Sequence, residues 1–238
     1  MASMREKFVA KVGMAIFDLA INNVPHLRKF AWHKWYDMLS SNPEKGKTWT
    51  FMNYGFMELT VNKEQEFLAK TWKNLKIDGL HHTQHHMARL YYHIATCTPQ
   101  VDLVDKEVIE VGSGRGGGAA FLARNFAVRS YLGLDLSEKA VRFSGLMHRD
   151  VPKLSFEQGD SQKLPLADES CDVVINVESS HCYPNFKTFL GEAQRCLRPG
   201  GFFLFADFRP LDSLPLTKEA IAASGLEVVL HKIGRAHV

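Results

Sequence analysis

The sequence predicts an α/β fold with a doubly wound, mostly parallel β-sheet. From residue 107 onward, short apolar runs alternate with stretches that have the apolar spacing of helices. Strands and helices that alternate in this way form right-handed β-α-β units, and helices then cover both faces of the parallel sheet. The first apolar run leads into a glycine-rich segment, which is typical of a strand that turns into a helix beside a ligand.

Five strands account for the apolar runs, and helices fill the intervals between them. Predicted strands cover 108–111, 131–135, 154–158, 171–177 and 201–208, and predicted helices cover 117–127, a segment capped by Ser137, and 185–196. A helix over 216–224 and a sixth strand over 226–230 are expected next. No seventh strand follows, so we expect C-terminal strands of the domain to be missing. The last six residues, 233–238, match one reading frame of a common sequencing adapter, so we expect a non-native tail.

The first hundred residues differ in composition from the rest. They hold all four tryptophans and most of the histidines, and helical spacing is found over 4–22, 25–40, 63–75 and 81–97. We therefore expect an N-terminal helical cap, or substrate region, over 1–100 and a ligand-binding domain over 101–232.

The overall composition, with 45% hydrophobic and 23% charged residues, is that of an ordinary globular protein. The net charge is +3 with scattered basic residues, so we expect no nucleic-acid partner. The four cysteines form no C-x-x-C pair, and no apolar run is long enough to span a membrane, which favours a cytoplasmic protein with reduced thiols. Basic and aromatic residues interleave over 4–40, so peripheral membrane contact is also expected. The oligomeric state stays open.

The glycine segment Gly112-Ser-Gly114 would by itself fit a dinucleotide, a methyl donor or a tight turn. Asp135 ends the second strand about 20 residues later, where a carboxylate can accept hydrogen bonds from ribose hydroxyls. Asp160 follows the third strand, where it can accept from an adenine amino group, and Asn176 lies near the end of the fourth. These positions share the carboxyl edge of the sheet, which is where open α/β sheets bind ligands.

Six motifs in this order resemble the class I S-adenosylmethionine-dependent methyltransferases of the type 11 group, which have a Rossmann-like fold. The motifs are Glu110–Gly114, Gly133–Ser137, Gly159–Asp160, Leu164–Asp168, Cys171–Val174 and Leu197–Gly201. Three further segments resemble the phthiotriol/phenolphthiotriol dimycocerosates methyltransferase family, which methylates a hydroxyl on a long-chain lipid. They are Phe51–Phe56, Val177–Pro184 and Ala206–Pro210.

The resemblance implies S-adenosylmethionine as cofactor and a set of residues around it. The implied set is Glu110, Gly112, Ser113, Gly114, Asp135, Leu136, Asp160, Ser161 and Asn176, with Asn53 and Tyr54 closing over the donor from the cap. The alternative for Phe51–Phe56 is an aromatic cluster that packs the cap onto the sheet.

An alcohol acceptor is helped by a base near its oxygen. His181 is the first candidate, because histidine titrates near neutral pH. Glu178 is the second, either as the base or as the group that orients His181. Both side chains could instead bond the loop that carries them. Asp207 is expected to pair with Arg209 or to cap a turn.

The histidine-rich segment 80–86 places two pairs of histidines at the i, i+4 spacing of a helix. Because no carboxylate or cysteine stands beside them at ligand spacing, we expect a polar helix face and no metal.

The predicted function is therefore transfer of a methyl group to a hydroxyl on a lipid or other small hydrophobic molecule. The alternatives are methylation of a sterol or quinone carbon, and a methyltransferase-like module that binds without catalysis. A nicotinamide-dependent oxidoreductase is disfavoured by the order of Asp160, Leu164-Pro165 and Arg198–Gly201.

Overall fold

A computed structural model describes residues 34, 50–53, 75 and 82–231 of the chain. Apart from single positions, the predicted helices over 4–22, 25–40 and 63–75 and the tail over 233–238 lie outside the described residues. The interleaved basic and aromatic stretch lies there as well. The domain boundary near residue 100 stays a prediction.

One parallel sheet of five strands, flanked by helices, organises the described part. The strands are β1 (Glu107–Val111), β2 (Ser130–Asp135), β3 (Leu154–Gln158), β4 (Cys171–Val177) and β5 (Leu197–Ala206). The helices are α1 (His82–Thr96), α2 (Gly117–Asn125), α3 (Glu138–Met147), α4 (Phe186–Cys196) and α5 (Leu214–Ala222), with short 3₁₀ turns at Ser180–Cys182 and Leu211–Ser213. The strand order is β3-β2-β1-β4-β5. This confirms the predicted Rossmann-like fold and all five strands, although β5 begins before residue 201.

The sixth strand, predicted over 226–230, is wrong. The segment has the apolar residues of a strand, but it pairs with nothing among residues 82–231, and Val228 is 58% exposed. Strand propensity reflects packing against neighbouring strands rather than a strong preference of the backbone itself. Without such a neighbour in the described structure, the run does not become a strand.

The two faces of the sheet pack against different helices, because side chains alternate along each strand. Val108 and Val173 join a buried cluster with residues of α1 and α2. The next residue along each strand, Ile109 or Val174, joins a second cluster with α4. The strands β1 and β4 are thus buried on both sides, as their continuous apolar runs indicate.

Two helices, α3 and α4, begin at a residue whose side chain caps them. Ser137 accepts a hydrogen bond from the amide of Ala140 at 3.2 Å, as its position before α3 predicted. Asn185 caps α4 in the same way, through the amide of Thr188 at 3.1 Å. Within the described residues, no helix combines the length and hydropathy needed to cross a bilayer.

Phe189 on α4 provides a test of this packing. Its ring is fully buried and lies 5.0 Å from the ring of Tyr183 and 5.8 Å from that of Phe203. We expect Phe189→Ala to lower the free energy of unfolding by about 3–5 kcal/mol, because the cavity left behind loses both burial and contacts. Urea denaturation measures this loss. The control Leu146→Ala, at a side chain that is 71% exposed, should change stability by less than about 0.5 kcal/mol. A loss below about 1 kcal/mol for Phe189→Ala would contradict the packing described.

Candidate functional site

The glycine loop between β1 and α2 requires glycine at specific positions. Gly112 has φ +78° and Gly114 has φ +54°, in the left-handed region that residues with a Cβ rarely adopt. A Cβ on Gly112 would also stand 1.8 Å from the Oγ atom of Ser179. The loop can therefore lie directly against the turn that follows β4 only because Gly112 has no side chain.

The amides of this loop are engaged within the protein. Gly112 and Ser113 both donate to the carbonyl of Leu134, at 2.8 and 3.0 Å, and Gly114 donates to Oδ2 of Asp135 at 2.8 Å. The amides of Gly116 and Gly117, at the start of α2, donate to the carbonyls of Ser113 and Thr50. A pyrophosphate is normally held by free amides at such a helix start. These five amides do not offer that cradle.

A cavity of about 910 Å³, including its solvent-open part, lies at the carboxyl edge of the sheet above the loop. Three carboxylates line it, from Asp135, Asp160 and Glu178, whereas no lysine, arginine or histidine among the described residues does so. Apolar side chains form much of the remaining wall: Phe51, Met52, Tyr91, Val111, Leu136, Val177, Cys182, Tyr183 and Pro184. The cavity is thus suited to a cationic ligand with apolar surroundings.

Most of the residues expected to surround the donor line this cavity. They are Asn53, Gly112, Ser113, Gly114, Asp135, Leu136, Asp160 and Ser161. Tyr54 lies outside the described residues. Asp135 is held in place because its carboxylate accepts from the amides of Gly114, at 2.8 Å, and Ser137, at 2.9 Å.

Glu110 is not part of the cavity wall. Its carboxylate is fully buried and accepts hydrogen bonds from the hydroxyls of Tyr91, at 2.6 Å, and Tyr131, at 2.8 Å. Burial raises its pKa to about 7, although the two tyrosine hydrogen bonds oppose the shift. Since Tyr91 lies on α1 and does line the cavity, Glu110 connects the wall to the sheet instead of facing the ligand.

Asn176 also lies behind the cavity wall. Its amide nitrogen donates to the carbonyl of Val111 at 2.8 Å and to the hydroxyl of Tyr183 at 3.0 Å. The side chain therefore joins β1, β4 and the turn that follows β4, and it supports Tyr183, which does line the cavity.

The two candidate bases occupy different places. Glu178 lines the cavity directly after β4, with a positive φ of 44° that is costly for a residue other than glycine. His181 does not line it. Its Nδ1 atom lies 2.8 Å from Oδ1 of Asp207, and its ring centroid is 4.2 Å from that of Phe208, with the two rings tilted by 38°. Of the two candidates, Glu178 is thus the one that lines the cavity.

Asp207 was expected to pair with Arg209 or cap a turn, and it does more than either. Its fully buried carboxylate contacts Arg209 at 3.1 Å and accepts from both the backbone and the ring of His181. It also accepts from the hydroxyl of Ser180 at 2.6 Å. The 3₁₀ turn is therefore anchored to the end of β5 through one carboxylate.

Several wall residues were not anticipated from the sequence, namely Thr50, Met52, Tyr91 and Ser179. Tyr91 on α1 is brought to the site by its contact with Glu110 on β1. The sequence position of Tyr91 does not indicate this contact. Ser179 belongs to the segment that resembles the lipid methyltransferases, so that motif was the one signal available for it. The histidine-rich segment falls partly on α1, and the described residues include no cluster of three metal-ligating side chains.

The residues present fit S-adenosylmethionine better than a dinucleotide. S-adenosylmethionine carries a cationic sulfonium and an ammonium group, whereas a dinucleotide carries an anionic pyrophosphate. The three carboxylates of the described wall stabilise the former and repel the latter. Two buried oxygens in the wall, Oδ1 of Asn53 and Oγ of Ser113, have no hydrogen-bond partner among the described residues. A polar ligand would supply their partners.

Comparison with known proteins identifies the family. Residues 109–205 match the model of a methyltransferase domain. The phthiotriol/phenolphthiotriol dimycocerosates methyltransferase 1 of Mycobacterium ulcerans is 36% identical over 198 residues, which cover 83% of this chain and 67% of that protein. The chain belongs to the phthiotriol/phenolphthiotriol dimycocerosates methyltransferase family. This confirms the resemblance stated from the motifs.

Other members of this methyltransferase family and its relatives match over shorter stretches. A probable phthiotriol/phenolphthiotriol dimycocerosates methyltransferase 2 of Mycobacterium ulcerans is 47% identical over 63% of this chain and 56% of that protein. A fatty-acid O-methyltransferase of Mycolicibacterium smegmatis is 45% identical over 59% of this chain and 50% of that protein. The chain thus spans about half the length of these curated relatives.

A solved structure supports the fold alone. The YcgJ protein of Bacillus subtilis superposes with a TM-score of 0.53 at 21% identity, over 60% of this chain and 69% of that one.

Glu110 leads to a prediction about pH. Because its pKa is raised from 4.5 to about 7, the folded protein keeps a proton that the unfolded chain has already released. The stabilisation is fully present below pH 4.5 and is lost as the pH rises through about 7. One pKa unit corresponds to about 1.4 kcal/mol, so the loss should be about 3 kcal/mol. We expect the free energy of unfolding of Glu110→Gln not to show this decrease. Denaturant unfolding at several pH values measures it.

The control for this measurement is Glu157→Gln, at an exposed carboxylate on β3, which should keep the wild-type pH profile. Parallel profiles for wild type and Glu110→Gln would show that Glu110 is not the group responsible.

Proposed function

We propose that this chain is an S-adenosylmethionine-dependent methyltransferase that methylates a hydroxyl on a lipid or another small hydrophobic molecule. The observation that carries the proposal is the cavity at the carboxyl edge of the sheet. Its glycine loop lines the wall, its loop amides are already bonded, and the charged residues of the described wall are all acidic. This combination stabilises a cationic nucleoside and gives no support to a pyrophosphate.

The donor is expected to lie along the ends of β1, β2 and β3. The bonds from the Gly114 and Ser137 amides fix the Asp135 carboxylate at the end of β2, where it can accept from ribose hydroxyls. Asp160 and Ser161 follow β3 and line the same cavity, so they suit the adenine. The glycine loop after β1 is left for the amino-acid end of the molecule.

The acceptor class rests on the apolar part of the wall and on the names of relatives. Phe51, Met52, Val177, Cys182 and Pro184 provide hydrophobic surface within reach of the loop. Relatives are named for dimycocerosates and for fatty-acid O-methylation. Dimycocerosates and fatty acids are both lipids, and the name fatty-acid O-methyltransferase indicates an oxygen acceptor.

Glu178 is our proposed base. When bound, S-adenosylmethionine supplies an electrophilic methyl group, and its transfer leaves a neutral thioether. As the acceptor oxygen gains the methyl group, its hydroxyl proton has to leave, and the Glu178 carboxylate lines the cavity in a position to take it. The bonds of His181 and Ser180 to Asp207 hold the turn next to Glu178. His181 is accordingly a positioning residue in this proposal.

A hydrophobic acceptor also gives a reason for peripheral membrane contact. We propose that the basic and aromatic stretch over 4–40 rests on a membrane surface, in a protein that is otherwise cytoplasmic. The support is the interleaving of Lys7, Lys11, Trp32 and Trp35 in the sequence.

Donor binding tests the first part of the proposal. We expect isothermal titration calorimetry to detect S-adenosylhomocysteine but not NAD. Asp135→Asn should weaken S-adenosylhomocysteine at least about tenfold, because a charge-assisted hydrogen bond contributes about 1.5–3 kcal/mol. The control Asp150→Asn alters a carboxylate that is 68% exposed and pairs with Arg124, and its affinity should equal that of wild type. Tighter binding of NAD, or unchanged affinity in Asp135→Asn, would contradict the assignment.

Transfer tests the chemistry. With labelled donor, the full chain should methylate a component of a lipid extract, and Glu178→Gln should lower the rate about 10²–10⁴-fold, the usual contribution of a general base. The affinity of Glu178→Gln for S-adenosylhomocysteine should change far less than its transfer rate. His181→Ala should reduce the transfer rate less than Glu178→Gln does. Donor binding without transfer to any lipid or polar extract would favour the non-catalytic binding module. A larger loss of transfer rate in His181→Ala than in Glu178→Gln would indicate that His181 is the base.

A further inference from the structure

Two side chains at the carboxyl end of α3 bond the backbone of the glycine loop. Nε2 of His148 lies 3.1 Å from the carbonyl oxygen of Arg115. The hydroxyl of Ser144 lies 3.1 Å from the carbonyl oxygen of Gly114. Ser144 is fully buried and His148 is 6% exposed, and neither residue lines the cavity. Both bonds therefore lie behind the cavity wall.

The two bonds differ in how fully they engage their donors. A carbonyl only accepts hydrogen bonds, so Nε2 of His148 carries the proton. Burial lowers the pKa of His148, although the bond to the Arg115 carbonyl opposes the shift, so the ring is neutral at pH 7 and above. The single proton of Ser144 has two acceptors, because the carbonyl of Ala140 lies 2.9 Å away as well as that of Gly114. We therefore expect His148 to hold the loop more strongly than Ser144.

The glycine loop also packs closely on α3. Gly116 has φ +76°, and a Cβ there would stand 2.9 Å from Cδ2 of His148 and 2.6 Å from Cζ of Phe156. The guanidinium carbon of Arg115 lies 4.2 Å from the ring centroid of Phe143 on α3, and Arg115 is buried. The loop thus rests on α3 through both its backbone and a side chain.

The bonds from α3 form a closed circuit with Asp135, which lines the cavity. Just before the start of α3, the amide of Ser137 donates to Oδ1 of Asp135 at 2.9 Å. The other oxygen, Oδ2, accepts from the amide of Gly114 at 2.8 Å. The carbonyl of Gly114 then returns to α3 through Ser144. A shift of the loop along α3 would therefore turn or release the Asp135 carboxylate.

We propose that His148 and Ser144 are positioning residues for the methyl donor, which hold the glycine loop on α3 so that Asp135 keeps its direction in the cavity. This inference rests on the proposed function, because it concerns the same donor site. Since neither side chain lines the cavity, its contribution is preorganisation. A carboxylate that is already in place does not have to be ordered when the ligand binds.

Affinity for S-adenosylhomocysteine tests the two roles. By calorimetry on the full chain, His148→Leu should weaken binding about three- to tenfold, which is the usual effect of losing a neutral hydrogen bond. His148→Gln should keep the wild-type affinity, because the glutamine amide can donate to the same carbonyl. Ser144→Ala should weaken binding about two- to fivefold. As the smaller change, it keeps the test available if His148→Leu does not fold.

A double-mutant cycle tests whether the effect passes through Asp135. In Asp135→Ala, the carboxylate to be positioned is absent, so adding His148→Leu or Ser144→Ala should change the affinity by less than about twofold. A purely structural role would weaken binding equally in both backgrounds.

The control for a general loss of stability is Leu103→Ala, which truncates a buried side chain outside the cavity wall. It should lower Tm and leave the affinity for S-adenosylhomocysteine within about twofold of wild type.

The outcomes distinguish this inference from the proposed function. If wild type does not bind S-adenosylhomocysteine, the proposed function fails. If wild type binds it, the inference is overturned by unchanged affinity in His148→Leu and Ser144→Ala, or by a loss in His148→Gln as large as in His148→Leu. It is also overturned if the losses are the same with and without Asp135, or if Leu103→Ala weakens binding as much as His148→Leu does.

Discussion

The glycine loop bonds the end of β2, and the character of the site follows from that contact. Leu134 and Asp135 accept from the amides of Gly112, Ser113 and Gly114. The contact aims the Asp135 carboxylate along the cavity, and it removes the amides that would otherwise attract a phosphate. It also forces the left-handed backbone at Gly112 and Gly114. A loop of similar sequence with free amides would suit a different ligand, so the hydrogen bonds, more than the glycines alone, select the methyl donor.

A second constraint ties the helix α1 to the sheet. The buried carboxylate of Glu110 on β1 receives hydroxyls from Tyr91 on α1 and from Tyr131 on β2. A buried carboxylate is tolerated only with such partners, and even so its pKa rises to about 7. The ring of Tyr91 meets Gly118, where a Cβ would be 1.9 Å away. One polar contact thus places an aromatic wall of the cavity against the start of α2.

The 3₁₀ turn after β4 has two sides with different roles. Ser179, Cys182 and Tyr183 face the cavity, whereas Ser180 and His181 bond Asp207 at the end of β5. The ring of His181 bonds Asp207 and lies against Phe208, so it is directed away from the cavity. The histidine that sequence alone favours as a base therefore helps to hold the turn in place, and Glu178 is left at the cavity.

The order of the five strands and the helices between them, the glycine loop and the acidic residues at the strand ends could all be predicted from the sequence. These features depend on local spacing: apolar runs indicate buried strands, glycines permit the turn, and parallel strands bring their carboxyl ends to one edge. The side chains that face the cavity could not be predicted in this way, because their directions are set by tertiary contacts. The direction of Glu110, Asn176 and His181 depends on partners that lie many residues away, such as Tyr91, Val111 and Asp207. The same reason explains the wrong sixth strand, because the run over 226–230 has the residues of a strand and finds no described neighbour with which to pair.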